Sequence, residues 1–519
     1  MRWELDWLES RAGLTPVAAA IADAGTDQEW SFREVNDRAK AIAAWLGEKG
    51  VKKGDRVALL APNGISYFDL LFACGKIGAI FVPLNWRLSL DELAYIIKDC
   101  EPRLLGFHSN FTKVVTMIWD QEDRCIQING SRYDQLFEAK LRQLDTAETN
   151  VEEEDPLAMI YTGGTTGKPK GAVLSHRAIV WNSLSTIASW NLTNEDTTVT
   201  YLPLFHTGGL NALSIPILMA GGKVVLANDF TPEKAIENLI RYKSSIVLLV
   251  PTMHHMLVKS DLFQKAEFKD LKLFLSGGAP CPFEIYEAYK QKGLSFKEGY
   301  GLTEAGPNNF YIDPSEADVK RGSVGKPMLF HRIRILDEDG QEVGAGEVGE
   351  LAIQGNHVFS FYWKNKNASK DTLKDGWLYT GDLAKRDKDG YYYIVGRKKE
   401  MIITGGENVY PLEIEHWLCS HPSIREAAVV GMPDEKWGEV VTAFIVLEEG
   451  AALGEQEAKV HCRQKLGGYK VPKVIHTIGQ MPKTHVGKID KKLLKEMAGK
   501  NSVSKVEKWD LGIYRDFKE

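Results

Sequence analysis

The sequence lacks the features that usually tie a protein to metal clusters, membranes or nucleic acid. Its six cysteines are scattered, with no CxxC pair, which favours free thiols in a reducing compartment over a disulfide framework or a zinc site. No stretch approaches roughly 18 uncharged apolar residues, and the opening MRWELDWLESRAG has no signal-peptide core. The formal net charge of −6 gives no strong field for a polyanion. We therefore predict a cytoplasmic protein with no integral membrane segment and no nucleic-acid partner.

Alternating helix and strand patterns are present instead. The 519 residues are 44% hydrophobic and 26% charged, as in a globular protein. Capping-box patterns, a Ser followed three residues later by Glu, begin amphipathic segments at Ser31 and Ser89. Short apolar runs such as DRVALLAP, IFVPL and RLLGFH lie between such segments. Strands separated by helices of about 10–15 residues predict parallel sheets with crossover helices, and so an α/β fold.

The pattern changes beyond about residue 320. Short strands and DG turns, as in RIRILDEDGQEVGAGEVGELAIQG, indicate a β-rich subdomain. We predict a large N-terminal domain over residues 1–396, with parallel or mixed sheets, crossover helices and this subdomain. A hinge at 397–400 would join it to a small, mobile α+β C-terminal domain over residues 401–519.

The segment YTGGTTGKPKG, which begins at Tyr161, has the composition of a phosphate-binding loop. The Walker pattern G-x-x-x-x-G-K-[ST] fails here twice, since Thr162 replaces its first glycine and Pro169 follows Lys168. Backbone N–H groups, threonine hydroxyls and lysines remain that can converge on phosphate oxygens. We favour a phosphate site over a flexible surface turn and disfavour a Walker-type ATPase.

A literal GxGxxG occurs at Gly344, Gly346 and Gly349. It follows the turn-like DEDGQEV and leads into a strand, ELAIQG, whereas a dinucleotide fingerprint follows a strand and opens a helix. The context predicts a hairpin turn.

Three further segments are ambiguous when each is taken alone. In EGYGLTEAG, Tyr300 could lie flat on an adenine ring, Thr303 could donate to a phosphate oxygen, and Glu304 could hold Mg²⁺. An ordinary glycine-rich loop is an equal alternative. His206 in YLPLFHTGG, taken singly, favours a core or turn histidine, and Lys488 in MPKTHVGKIDKKLL favours solvated surface charge.

Together and in this order, these segments resemble the adenylate-forming superfamily, specifically the acid:CoA ligases that include fatty-acyl-CoA synthetases and 4-coumarate-like CoA ligases. The resemblance covers nearly the whole chain, from WSFREV to GKID. In that family the loop matching YTGGTTGKPKG binds triphosphate, YLPLFH lines the acyl site, and SGGAP and EGYGLTE cradle adenine and Mg²⁺. YTGD and GRKKE hold the ribose and mark the hinge, and PKTHVGK supplies the catalytic lysine.

The resemblance implies a role for each matching position. Catalytic residues would be Lys488, Thr303, Glu304 and His206, with Glu304 also the metal ligand. The ATP-binding residues would be Thr162, Gly163, Gly164, Thr165, Thr166, Gly167, Lys170, Gly278, Ala279, Glu298, Gly299, Tyr300, Gly301, Thr303, Asp382, Arg397 and Lys488. The acyl pocket would contain His206, Thr207, Gly208 and Gly277, and the CoA-facing residues would be Gly405, Gly406 and Glu407. Lys399 would be the hinge residue.

Three positions depart from the pattern of many relatives. Gly163 replaces a common Ser, a variant associated with fatty-acyl members. Glu298 stands where an amide is frequent before the Gly-Tyr-Gly and would contact the adenine amino group. Asp490 and Lys491 replace an apolar residue followed by Arg, with no obvious consequence for the chemistry.

The implied chemistry is adenylation of a carboxylate followed by transfer of the acyl group to a thiol, with ATP, Mg²⁺ and CoA required. Lys488 would bridge the attacking carboxylate and the α-phosphate, so that positioning and electrostatics lower the barrier. Asp382 would accept hydrogen bonds from both ribose hydroxyls, because a carboxylate is acceptor-only. For the second step the small domain would rotate about Lys399 and bring TGGENVYP to the thiol.

The substrate and the acceptor are left open. A medium- or long-chain fatty acid is favoured because of Gly163, with a 4-coumarate- or benzoate-like acid as the alternative. Free CoA is favoured as the acceptor over a carrier protein or luciferase-like oxidation. A non-catalytic nucleotide-binding protein is disfavoured because Lys488, Glu304, Asp382 and Lys399 occur together. The partners are the small-molecule acid and CoA, and a homodimer is an open option.

Overall fold

A computed structural model describes residues 5–140, 150–163, 168–483 and 489–499. Five of the predicted site residues lie outside the described residues: Gly164, Thr165, Thr166, Gly167 and Lys488.

The strands and helices are numbered in chain order. The strands are β1 Ala19–Asp23, β2 Glu29–Ser31, β3 Arg56–Leu60, β4 Ile80–Pro83, β5 Leu104–Phe107, β6 Cys125–Gln127, β7 Pro156–Thr162, β8 Lys170–Ser175, β9 Thr197–Thr200, β10 Lys223–Leu226, β11 Ile246–Leu249, β12 Leu273–Ser276, β13 Phe296–Glu298, β14 Phe310–Tyr311, β15 Lys326–Pro327, β16 Arg332–Leu336, β17 Val348–Gln354, β18 Phe361–Tyr362, β19 Leu373–Lys374, β20 Trp377–Arg386, β21 Tyr392–Arg397, β22 Ile402–Thr404, β23 Glu407–Val409, β24 Ile424–Asp434, β25 Gly438–Leu447 and β26 Val474–Thr477. The α-helices are α1 Trp7–Leu14, α2 Phe32–Glu48, α3 Ser66–Ile77, α4 Leu90–Cys100, α5 Thr112–Ile118, α6 Ser131–Lys140, α7 His176–Trp190, α8 Thr207–Gly209, α9 Ile215–Ala220, α10 Pro232–Arg241, α11 Pro251–Lys259, α12 Asp261–Lys265, α13 Phe283–Gln291, α14 Pro314–Ala317, α15 Lys366–Thr372, α16 Pro411–Cys419, α17 Glu455–Arg463 and α18 Lys491–Gly499. Short 3-10 turns include Thr303–Ala305 and Lys398–Glu400, and Leu210–Ser214 is a π-helical segment.

The largest sheet is mixed and carries the predicted phosphate loop. Its order is β18-β8-β7-β4-β3-β5-β6, with β3, β4, β5 and β6 in parallel pairs. β7 also runs parallel to β4, whereas β7, β8 and β18 pair antiparallel. The predicted phosphate loop therefore joins β7 and β8, two adjacent strands of one sheet.

Both predicted capping boxes are present, with Ser31 and Glu34 at α2 and Ser89 and Glu92 at α4.

Two further sheets lie in the same part of the chain. One has the order β2-β1-β10-β9 and the other is the parallel set β11-β12-β13. β12 and β13 end side by side, since Ser276 pairs with Glu298. The loops after these strands begin at Gly277 and Gly299, so two of the predicted site segments meet at one sheet edge.

The β-rich region contains the antiparallel sheet β16-β17-β20-β19, with β21 paired to β20. The sequence GAGEVG leads into β17 from an antiparallel hairpin, and Gly346 has a φ of +92°. The prediction of a hairpin turn, and not a dinucleotide site, is confirmed.

The segment after the 3-10 turn Lys398–Glu400 has its own sheet and core. The sheet order is β23-β22-β25-β24, and β26 runs parallel to β25. Ile414, Leu418, Val429 and Ile445 belong to one buried cluster that joins α16 to the sheet. The α/β fold class with an additional small α+β part is confirmed, while the domain boundaries stay a prediction. Within the described ranges, no helix is long and apolar enough to cross a membrane.

Candidate active site

Asp382 is the centre of the first group of predicted residues. The antiparallel pairing of β20 and β21 sets Arg397 directly opposite Asp382, and the Arg397 Nε lies 2.7 Å from Asp382 Oδ1. Tyr300 Oη donates to the other carboxylate oxygen at 2.6 Å. The Asp382 N–H donates to Thr380 Oγ1 at 3.0 Å, which fixes the backbone. We call Tyr300, Thr380, Asp382 and Arg397 the Asp382 cluster.

The electrostatics of this cluster keep Tyr300 protonated. Burial, followed by the charge of Asp382, raises the pKa of the Tyr300 phenol well above its ordinary value. Its ring also packs edge-on against Phe310, with centroids 5.9 Å apart. The phenol is therefore a donor whose orientation is set from both ends, which suits a ring that stacks on a planar ligand.

Glu304 is the centre of the second group. Tyr362 Oη donates to Glu304 Oε1 at 2.7 Å, and Thr162 Oγ1 lies 3.4 Å from the same oxygen. Lys170 pairs with Thr162 across β7 and β8, and its Nζ lies 5.3 Å from the centroid of the Tyr362 ring. We call Thr162, Lys170, Glu304 and Tyr362 the Glu304 cluster. Both ends of the predicted phosphate loop thus lie beside the predicted metal ligand.

Glu304 fits the role of a magnesium ligand. Mg²⁺ in phosphate-binding sites is held by one or two carboxylates, and the substrate phosphates and water supply the other oxygens. Glu304 is largely buried, and within the described part of the chain its hydrogen bonds from Thr162 and Tyr362 both go to Oε1. The second oxygen, Oε2, is the atom that would bind the ion.

Glu298, the residue predicted to contact adenine, is buried and held by two hydrogen bonds. Its two carboxylate oxygens accept hydrogen bonds from Tyr286 Oη at 2.6 Å and from the Cys281 N–H at 2.9 Å. Burial raises the pKa of Glu298 to about 7, although both hydrogen bonds act in the opposite direction. The side chain therefore braces the turn after β12, and its contact to adenine stays a prediction.

Steric constraints explain why two positions around this turn are glycines. A Cβ on Gly301 would lie 2.1 Å from the carbonyl oxygen of Pro307, so no other residue fits there. Gly278 has a φ of +85°, in the left-handed region that favours glycine. Gly277 is half-buried, and Gly278 and Ala279 are exposed beside Gly299.

The predicted acyl residues lie at the start of an interrupted helix. His206 precedes α8, and the helix continues through the π-helical segment to α9. Such π segments are frequent at functional sites. Thr207 is buried and its Oγ1 accepts from Asn211 Nδ2 at 3.1 Å, whereas Gly208 is only partly covered. Asn182 on α7 donates to the Asn211 carbonyl at 2.8 Å.

Buried polar atoms on this acyl side lack partners. Among the described residues, Asn182 Oδ1 and Asn211 Oδ1 are buried with no hydrogen-bond donor. Asn182 Oδ1 also lies 2.9 Å from the point where a Cβ on Gly306 would stand. Gly306 follows the Glu304 turn, so Asn182 Oδ1 lies between that turn and the helical segment after His206.

The predicted hinge lies between two anchored residues. Lys398 Nζ is 2.9 Å from Glu350 of β17, in the large part of the chain. Glu400 is 3.0 Å from Lys491 Nζ, and Lys491 also contacts Glu415 at 2.8 Å. Burial opposes the charge of Lys491, but the two carboxylates raise its pKa. Lys399, the predicted hinge residue, is exposed between these anchors.

The predicted CoA-facing residues form the turn between β22 and β23. Gly405 and Gly406 have φ values of +60° and +86°, and the Gly405 N–H donates to the Trp437 carbonyl at 2.9 Å. Glu407 is exposed. No hydrogen bond or ion pair among the described residues joins this turn to the Asp382 or Glu304 cluster.

Sequence reasoning missed several members of the site. Tyr362 lies in a two-residue strand and reaches Glu304 only because β18 pairs with β8, far away in the chain. Asn182 shares a buried face of α7 with Thr186, four residues further on, and that spacing of polar residues was the available signal. Asn211 is a polar residue in the buried segment Leu210–Ser214.

Comparison with known proteins identifies the family. The AMP-binding enzyme profile matches residues 8–363, and the profile of the AMP-binding enzyme C-terminal domain matches residues 413–488. A feruloyl-CoA synthase of Amycolatopsis sp. is 35% identical over 93% of this chain and 96% of its own length. An indoleacetate–CoA ligase of Aromatoleum aromaticum is 35% identical over 96% and 98%. A long-chain-fatty-acid–CoA ligase of Mycobacterium tuberculosis is 32% identical over 94% and 97%.

A solved structure agrees with these sequence matches. The o-succinylbenzoate CoA synthetase from Bacillus subtilis, in complex with its acyl-adenylate intermediate, superposes with a TM-score of 0.84 at 30% identity. The match covers 94% of this chain and 98% of that one.

Proposed function

The chain belongs to the AMP-binding enzyme family, and from this premise we propose that it is an ATP-dependent acid:CoA ligase that activates a carboxylic acid as acyl-AMP. Ligases of this kind use ATP, Mg²⁺ and CoA. The observation that carries the proposal is that two buried carboxylates are each held by a tyrosine. Asp382 and Glu304 each accept a hydrogen bond from a tyrosine hydroxyl, at 2.6 Å and 2.7 Å, within a match that spans nearly the whole chain.

In the first step a carboxylate oxygen of the acid bonds to the α-phosphorus of ATP, and the bond to pyrophosphate breaks. The Asp382 cluster would hold the adenosine, with Tyr300 along the adenine and Asp382 on the ribose hydroxyls. Thr162 and Lys170 would hold the departing phosphates. Fixing both partners in line removes much of the entropic barrier. When bound, Mg²⁺ neutralises charge on the phosphate oxygens.

In the second step the thiol sulfur of CoA bonds to the acyl carbon, the bond to AMP breaks, and the thiol proton is released. Lys488, proposed for the first step, would have to leave the site. Rotation at Lys399 would carry it away and bring Gly405 and Gly406 towards the thiol, where glycines permit close approach.

We propose that the acid is aromatic or carries a polar group. Asn182 Oδ1 and Asn211 Oδ1 would remain buried without partners beside an alkyl chain, which costs about 1–3 kcal/mol for each group. A hydrogen-bond donor on the acid, or water held beside a ring, would satisfy them. A fatty acid is the second candidate, because Gly163 is the variant associated with fatty-acyl members and one relative is a fatty-acid ligase.

A panel of acids tests the proposal. Purified protein with MgATP and CoA would be assayed for AMP release with ferulate, indoleacetate, 2-succinylbenzoate and hexadecanoate. We expect at least one aromatic acid to exceed hexadecanoate by about tenfold or more in kcat/KM, as one hydrogen bond can provide. Leaving out CoA should stop turnover after one adenylate per enzyme. Failure of every acid to release AMP would contradict the ligase assignment.

A further inference from the structure

Lys297 is a buried lysine that the mechanism above does not use. It is 1% exposed, and within the described chain its Nζ has no hydrogen-bond acceptor. The ammonium lies 4.2 Å from the ring centroid of Trp190 and 4.2 Å from that of Tyr311. Burial lowers the pKa of Lys297 to about 7 against the opposing influence of Asp313.

The alternation of β13 explains where this side chain points. Phe296 and Glu298 face Tyr286, through a ring contact at 4.7 Å and a hydrogen bond at 2.6 Å. Lys297 lies between them in sequence and so projects from the opposite face of the sheet, towards Trp190 at the end of α7.

Aromatic rings attract this ammonium but do not satisfy it. An ammonium carries three N–H donors, and a ring face is a weak acceptor for only some of them. Trp190 Nε1, the indole donor beside it, is also buried without a hydrogen-bond partner in the described residues. Buried donors without acceptors are rare in folded proteins and indicate a missing partner.

A row of polar residues along α7 runs from the predicted acyl residues to Lys297. Asn182, Thr186 and Trp190 are spaced by four residues and therefore share one helix face. Thr186 Oγ1 accepts from Asn308 Nδ2 at 3.0 Å, between the two ends of the row. The row begins at Asn182, beside Gly306, and ends about 12 Å further along the helix at Trp190. An acid that enters at Gly306 and extends along α7 would bring its far end to Lys297.

We propose that Lys297, together with the Trp190 N–H, binds an oxygen acceptor at the distal end of the acid substrate. The acceptor is a phenolic oxygen or a second carboxylate. This inference rests on the proposed function, and it makes Lys297 a specificity-determining residue.

Paired acids that differ by one distal oxygen group test the inference. One pair is 4-hydroxycinnamate and cinnamate, and the other is a straight-chain dicarboxylate and the monocarboxylate of equal length. We expect the wild-type protein to prefer the oxygen-bearing member of at least one pair by about tenfold to hundredfold in kcat/KM, as a hydrogen bond to a charged group provides. The pair that responds identifies the acceptor.

Variants then locate the preference. Lys297→Met keeps the length and removes the donors, and it should bring the ratio within a pair close to one while changing the unsubstituted member less than threefold. Lys297→Arg should keep part of the ratio. Lys292→Met is the matched control: that lysine also lies over a ring, at 5.4 Å from the Phe263 centroid, and should leave the ratios unchanged. Trp190→Phe should reduce the ratio by a few fold.

Two results would overturn the inference. The first is a Lys297→Met variant that lowers both members of each pair equally, with a reduced melting temperature, because that is the signature of a structural lysine. The second is a wild-type protein without a preference in either pair. Calorimetric binding of the same acids is measured in parallel. A binding preference that depends on Lys297, without AMP release from any acid, would refute the ligase function and keep the subsite; equal binding without release would refute both.

Discussion

The nucleotide side and the acid side of the candidate site differ in how their polar groups are satisfied. Asp382 and Glu304 each have protein donors, so the two carboxylates are held in place by the fold. On the acid side, Asn182, Asn211 and Lys297 carry buried polar atoms without hydrogen-bond partners among the described residues. ATP, the ligand that all acid:CoA ligases use, can be bound by side chains that the fold already orients. In the proposed function, the groups that distinguish one acid from another would find their hydrogen-bond partners on the acid itself.

The largest effect is expected at Lys488, which is proposed to act on both the acid and the α-phosphate of ATP. Lys488→Ala should lower acyl-AMP formation by about 10²–10³-fold, the value of one preorganised charged donor. Thioester formation from supplied acyl-AMP and CoA should change less than threefold, because the lysine is not needed there. Separate assays of the two half-reactions check this, with Lys492→Ala as a neighbouring control. Equal losses in both half-reactions would remove Lys488 from the first step.

The second-largest effect is expected at Asp382, on the nucleotide side, and the change in the KM for ATP should be the same with every acid substrate. Asp382→Asn loses the charge that Arg397 and Tyr300 orient, so the KM for ATP should rise by about 10–100-fold. Asp387→Asn, on the same hairpin but paired with Lys320, is the control and should leave this KM unchanged. A change in acid preference in Asp382→Asn would break the distinction between the two sides.

The smallest effect on turnover is expected at Glu298, whose carboxylate already accepts hydrogen bonds from Tyr286 and from the Cys281 N–H. Its folded pKa of about 7 lies above its ordinary value, so the folded protein binds the extra proton. Stability from this group is present at low pH and lost as pH rises through about 7. Glu298→Gln should remove about 1–3 kcal/mol of that pH dependence between pH 4.5 and 7. Thermal unfolding measured across this range checks it.

Glu284→Gln is the matched control for that experiment. Its hydrogen bond from His255 lowers the pKa of Glu284, so its contribution has the opposite sign and is lost as pH falls. A flat difference between Glu298→Gln and the wild-type protein across pH 4.5–7 would show that the carboxyl is ionised in the fold.

Much of the fold was predictable from local patterns. The Ser31 and Ser89 capping boxes and the hairpin at Gly346 each depend on residues that are neighbours in the chain. The Asp382 cluster was predictable only through the family resemblance, since its members come from separate motifs. Periodicity alone could not place them together.

The parts that escaped prediction depend on distant pairings. Tyr362 reaches Glu304 through a two-residue strand, and Glu298 on β13 contacts Tyr286, which lies on helix α13. Lys297 looks like an ordinary charged residue in sequence, and only the position of α7 shows that it is buried.

The ion pairs on either side of Lys399 would also limit the proposed rotation of the small part. Lys398 forms an ion pair with Glu350 in the large part of the chain. Glu400 forms an ion pair with Lys491, which also contacts Glu415, in the small part. Both neighbours of Lys399 are therefore held by ion pairs. A connection this short would act as a single-residue hinge and not as a flexible linker. The small part would turn about essentially one pair of backbone torsions, so the arc travelled by Lys488 would be reproducible from cycle to cycle. Lys491, a departure without obvious chemical consequence, would then help to set that axis.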